Sequence, residues 1–142
     1  MKLVDTNVLV YAAYRPSKFH LDSLGWLDAA LSRGEPIGFA WLALIGFVRI
    51  ATNPKMTDPP FSRTAALDLV EAWLGAPSAY ILEPGPRHAE FLREMLTVAG
   101  SSPNLTNDAH LAAIARQHKA TVITFDSDFG QFPGINWAQP QR

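Results

Sequence analysis

Two short β-type runs, far apart in the chain, each stop on an aspartate, and this constrains the fold more than any other feature. One is Leu3-Val4-Asp5-Thr6-Asn7; the other is Val122-Ile123-Thr124-Phe125-Asp126-Ser127-Asp128-Phe129. A third acid, Asp108, opens a helical segment just before the second run. If the two strands are neighbours, these carboxylates meet at one edge of a sheet. Like charges held close disfavour their own ionisation, and a bound cation reverses that. The pattern points to a divalent-metal site and to metal-assisted chemistry on a substrate carrying phosphates.

Short strands alternate with helices along the whole chain. Strands are expected at Lys2–Asp5, Pro36–Phe39, Tyr80–Leu82, Ala120–Phe125 and Ile135–Trp137. Helices are expected at Thr6–Tyr14, Phe19–Ser32, Trp41–Thr52, Arg63–Leu74, Pro86–Val98 and Thr106–His118. Gly34 suits a helix stop, Ser62 and Thr106 suit N-caps, and Pro86 suits a first turn. Gly100–Pro103 reads as a loop. This alternation predicts an α/β sandwich with a mostly parallel sheet of four or five strands. In such sheets a crevice opens at the carboxyl ends of strands where the order reverses. The order 3-2-1-4-5 sets Asp5 and Asp126 side by side at that crevice.

A chain of 142 residues with 48% apolar residues suits one domain, over 1–142, with a full core. It has no cysteine, so thiolate metal sites are excluded. No run is long and apolar enough to cross a membrane. Met1-Lys2-Leu3-Val4-Asp5 reaches an acid too soon for a signal peptide, so a soluble cytoplasmic protein is expected. The net charge of −1 means that any contact with nucleic acid must use local patches and bound cations.

Taken singly, Asp5 reads as an N-cap and Asp126 as a turn residue. Asp128 either flanks the same pocket or caps the following turn. Asp108 is more telling, because it shares a helix face with Leu111, Ala112 and Ala115. The helix dipole favours an anion there by about 0.3–1 kcal/mol. Burying an unpaired carboxylate costs several kcal/mol, so Asp108 needs an arginine or a metal as partner. An all-carboxylate donor set suits Mg²⁺ or Mn²⁺ better than Zn²⁺.

Four stretches, in order, carry a resemblance to a known family. They are Val4–Leu9, Phe47–Pro54, Asn107–Ala115 and Val122–Phe129. The chain resembles the PIN-domain ribonucleases, and among them the VapC-type toxins of bacterial toxin–antitoxin pairs. The resemblance covers essentially the whole chain. It implies a PIN-like three-layer α/β/α sandwich, cleavage of RNA assisted by Mg²⁺ or Mn²⁺, a homodimer, and inhibition by a cognate VapB-type antitoxin. Asp5, Asp108 and Asp126 match the family's metal-binding acids, and Asp128 an additional acid near them. Thr6, Asn7 and Thr124 match polar residues lining the site, Asn7 as an orienting hydrogen bonder.

The chain departs from the family at Gly46, where a glutamate is common three residues before the arginine matching Arg49. Gly46 implies either close packing against Trp41 or a neighbouring helix, or a weakened second metal site. Arg49 can pair with the acids, contact RNA phosphate or form a structural ion pair; an ion pair near the site is expected. His110 lies about 200° around the helix from Asp108 and is not expected to be a ligand. Two alternative readings compete with this one. A signalling receiver domain needs a phosphoacceptor Asp after a middle strand and a late lysine, and Tyr80-Ile81-Leu82-Glu83 and the stretch after Phe125 supply neither. A PIN scaffold that binds without cutting gains weight from Gly46 and loses it from the three surviving acids.

Overall fold

Alternation of side chains along each strand sorts the core into two halves. The computed structural model describes residues 1–99 and 105–141, so the loop expected at Gly100–Pro103 lies outside the described residues. The strands are β1 (Lys2–Val4), β2 (Ile37–Phe39), β3 (Ala79–Ile81), β4 (Thr121–Ile123) and β5 (Asn136–Ala138). The α-helices are α1 (Thr6–Ala13), α2 (His20–Ser32), α3 (Trp41–Ala51), α4 (Arg63–Leu74), α5 (His88–Ala99) and α6 (Thr106–His118). The sheet order is β3-β2-β1-β4-β5, with every neighbouring pair parallel. This is the expected order, with β1 in the centre.

Val4, Ile123, Ile37 and Phe39 point to one face, where they pack with residues of α1 to α4 such as Leu9, Leu27, Leu44 and Val70. Leu3 and Val122 point to the other, against Met95 of α5 and Ile114 of α6. One residue of register separates the two sets, as the pleat requires. Each fully buried aliphatic or aromatic side chain contributes about 1.5–3 kcal/mol. No described helix is long and apolar enough to cross a membrane.

Local signals set most of the boundaries. Ser62 Oγ accepts from Ala65 N–H at 3.0 Å and starts α4 as expected. Gly34, with φ +75°, follows the end of α2 as expected for a helix stop. Two expectations need correction. Thr106 is not an N-cap: Leu105 before it already has helical φ and ψ, so Thr106 falls inside the helix and makes no capping bond. Pro86 precedes α5 instead of opening it, because a turn from Gly85 O to His88 N–H intervenes. The last strand pairs one residue later than expected, at Asn136–Ala138.

The close approach of α1 and α3 is set at Gly46. A Cβ there would lie 2.8 Å from Thr6 Oγ1 and 3.1 Å from Thr6 Cγ2. Thr6 Oγ1 in turn donates to Ala43 O at 3.1 Å. Gly46 thus packs against a neighbouring helix, α1, which is one of the two structural roles expected for it.

Candidate active site

Strand register alone brings the ends of the chain together. Val4 is paired with Ile123, so Asp5 and Thr124 emerge side by side from the carboxyl ends of β1 and β4. Asp5 N–H donates to Ile123 O at 3.0 Å, which extends the pairing to the acid itself.

Both oxygens of Asp5 are engaged. Oδ1 accepts from Thr6 N–H at 2.7 Å, which makes Asp5 the N-cap of α1. Oδ2 accepts from the buried Thr124 hydroxyl at 2.7 Å. That hydroxyl also accepts from Asn7 Nδ2 at 3.1 Å and from Asp126 N–H at 3.0 Å. Asn7 Oδ1 accepts from Phe125 N–H at 3.2 Å. Asp126 Oδ1 accepts from Asp128 N–H at 2.9 Å and so caps a short 3-10 helix over Ser127–Gln131. The cap and turn roles read for Asp5 and Asp126 are therefore real, and they coexist with their place at one site. The same network explains why β4 stops at Ile123 and not at Phe125: beyond Thr124, backbone N–H groups are taken by side chains.

Asp108 approaches from the other side, in the first turn of α6, half-buried. Its carboxyl is raised to about 7, first by burial and then by the charges of Asp5, Asp126 and Asp128, with a hydrogen bond to Asp126. Asp5 is also raised above the ordinary carboxylate value by burial, which outweighs its bonds from Thr124 and Thr6. The acids hold each other's protons on, and a positive charge would release them.

Asp5, Asp108 and Asp126 line one cavity of about 690 Å³ together with Thr6, Asn7 and Asn107. Among the described residues, no three acidic or histidine side chains stand close enough together to hold an ion by themselves. An all-oxygen donor set spread around a cavity fits Mg²⁺, which keeps several waters and takes only one or two carboxylates beside substrate phosphates. Mn²⁺ prefers the same donors.

The remaining residues divide clearly. Asp128 is exposed and does not line the cavity, although its charge reaches Asp108. The Thr6 hydroxyl is turned to α3 and only its N–H serves the site. Arg49 lines the cavity but the ion pair expected for it is absent: among the described residues the ion pairs are Lys2–Glu35, Arg87–Glu90 and Arg116–Glu94. Its exposed position on α3, one turn past Gly46, keeps it in solvent at the cavity wall. His110 turns to α5, where its Nδ1 lies 2.8 Å from His88 Nε2. Tyr11, Tyr14, Ile45, Ile50 and Met56 also line the cavity, and the sequence did not single them out. The signal was present at and just past α1, where Asn7, Tyr11 and Tyr14 follow one another at spacings of four and three.

Comparison with known proteins agrees with this architecture. A family model described as PIN domain matches residues 2–135. Ribonuclease VapC37 of Mycobacterium tuberculosis is 51% identical over 140 residues, covering 99% of this chain and 97% of that protein. Ribonuclease VapC43 of the same organism is 37% identical over 140 residues, covering 99% and 95%. Among solved structures, VapBC2 from Rickettsia felis, bound to a promoter DNA fragment, aligns with a TM-score of 0.70 at 15% identity, covering 97% of each chain. FitAcB from Neisseria gonorrhoeae aligns with a TM-score of 0.63 at 21% identity, covering 99% and 98%. At those identities the structural matches speak to the fold.

Proposed function

The chain belongs to the PIN-domain family, and on that premise we propose that it is the toxin of a type II toxin–antitoxin pair, a metal-dependent endoribonuclease in one domain over residues 1–142. One observation carries the catalytic part. Three carboxylates, from the ends of β1 and β4 and from α6, face a single cavity, and the pKa of Asp108 is raised to about 7 by burial first and then by the other acids.

Asp5, Asp108 and Asp126 would hold Mg²⁺ or Mn²⁺. When bound, such an ion lowers the pKa of a coordinated water and offsets charge on the phosphate and the leaving oxygen. The chain's own residues supply positioning. Thr124 fixes the Asp5 carboxylate through Oδ2 and ties it to the Asp126 backbone. Asn7 locks the strand end by bonding both Thr124 and Phe125 N–H. Asp108, raised to about 7 by burial and by the other acids, would give up its proton as the ion binds.

RNA as substrate, a VapB-type antitoxin as partner and a homodimer are parts of the same proposal. The RNA substrate is supported by the ribonuclease names of the similar M. tuberculosis proteins and the antitoxin by the VapBC complex among the structural matches, whereas the homodimer rests on the family resemblance. An inert binding scaffold is not favoured, since all three acids are present and face the cavity.

The test is cleavage of single-stranded RNA by purified protein with Mg²⁺ or Mn²⁺. Asp5→Asn should lower the rate by about 10³-fold or more, the scale of losing an electrostatic element of a reacting site. Wild-type-like cleavage by a folded Asp5→Asn variant would sink the proposal.

A further inference from the structure

The cavity extends well beyond the acids. Between the caps Asp5 and Tyr14, the eight residues of α1 rise about 12 Å, at 1.5 Å per residue. The cavity there is lined by Tyr11, whose ring packs against Phe19 and Phe125, and by Tyr14, Arg49, Ile50 and Met56. Both tyrosines are half-buried, and Met56 is 53% exposed. The Tyr14 hydroxyl donates to Asp58 O at 3.3 Å and accepts from Asp58 N–H at 3.4 Å, which holds the ring in place. Among the described residues, Arg49 is the one cation lining this groove, and it makes no ion pair with them.

Fixed aromatic rings beside an unpaired guanidinium match the chemistry of a nucleotide. Bases of single-stranded nucleic acid stack on such rings with little sequence preference. A guanidinium takes a phosphate bidentately. We propose that the α1/α3 groove holds the nucleotide adjoining the cleaved phosphate, with Arg49 binding the next phosphate along; this rests on the ribonuclease reading above. Continuity with the acidic end, where a bound cation would offset the carboxylates, favours RNA over a protein segment as the occupant. Arg49 is then a positioning residue that sets where along a strand the cut falls.

The experiment uses the purified protein, Mn²⁺ and a short single-stranded RNA with one cleavable bond. Neutral methylphosphonate linkages replace the flanking phosphates one at a time. For the wild type, one flanking position should raise KM about tenfold, with kcat changed less than about twofold. Arg49→Met should show the same rise on the unmodified RNA and no further rise with that linkage. It should also reduce the slope of log affinity against log salt by about one. Arg49→Lys should recover part of the loss. Arg49 is exposed, so the melting temperature of each variant should match the wild type. Equal sensitivity of wild type and Arg49→Met to every neutral linkage would overturn the proposal. So would unaltered RNA kinetics in a variant that loses its antitoxin, because the groove would then be a protein-docking surface. If the wild type cuts no RNA, the ribonuclease reading itself fails and this inference falls with it.

Discussion

The strand-end half of the acidic site and its helix half are built on different principles. Asp5 has donors on both oxygens, from Thr6 N–H and the Thr124 hydroxyl. Asp108, across the cavity, is raised to about 7 by burial and then by the charges of the other acids. The first half is organised by the protein alone. The second is finished by a proton or a cation. A site can therefore be preorganised on one side and responsive on the other, with the responsive side on the element whose first turn faces the cavity.

Paired substitutions test that asymmetry most strongly. Thr124→Val removes one donor and two acceptor contacts at a fully buried position. It should destabilise the fold by about 1–3 kcal/mol, the cost of leaving buried polar groups unmatched. Asp108→Asn should instead raise the melting temperature of the metal-free protein while removing cleavage, a trade of activity for stability. Thermal melts of both variants with a chelator present decide the matter. Shifts of the same sign would mean the two halves do not differ.

Next in size is Gly46→Glu. The new Cβ would lie 2.8 Å from Thr6 Oγ1, so α1 and α3 must part or Thr6 must rotate. Overpacking of this kind costs about 1–3 kcal/mol. Adding Thr6→Ala should recover much of it. A Gly46→Glu variant as stable as the wild type would show that the helix contact is softer than the geometry indicates.

The smallest effect is in pH. In the folded chain Asp5 and Asp108 are raised above their ordinary values, so folding favours their protonated forms. Their charged forms reduce stability at high pH, and that burden lifts as pH falls through the folded value near 7. His110 acts with the opposite sign: burial and then His88 lower its pKa, so it costs stability as pH falls below the ordinary value of 6.5. Between pH 8 and about 6.5 the metal-free melting temperature should rise by a few degrees, and Asp108→Asn should flatten the slope. A flat wild-type profile would mean that Asp108 is not perturbed.

The aspartate-ended strands and the 3-2-1-4-5 order were legible because period-2 patterning and short crossovers leave few alternatives. Asp108 stood out because a carboxylate on an apolar helix stripe demands a partner. The solvated Arg49, by contrast, depends on where α3 lies against α1. That is decided by the Gly46–Thr6 contact, which no local pattern encodes. The groove beyond the acids was not legible for the same reason: Tyr11 and Tyr14 come to line one cavity with Ile50 and Met56 only once the helices are packed. The failed cap at Thr106 shows a local signal losing to the helical backbone of Leu105 before it.

The central claim is that these acids form a divalent-cation site completed at Asp108. Calorimetric titration of Mn²⁺ into the protein at pH 7, repeated in buffers of different ionisation enthalpy, tests it directly. With Asp108 titrating at about 7, binding should release about half a proton or more per ion, falling toward zero by pH 9. Asp108→Asn should release less and bind more weakly. Saturable binding with no proton release at pH 7, or no binding at all, would contradict the account.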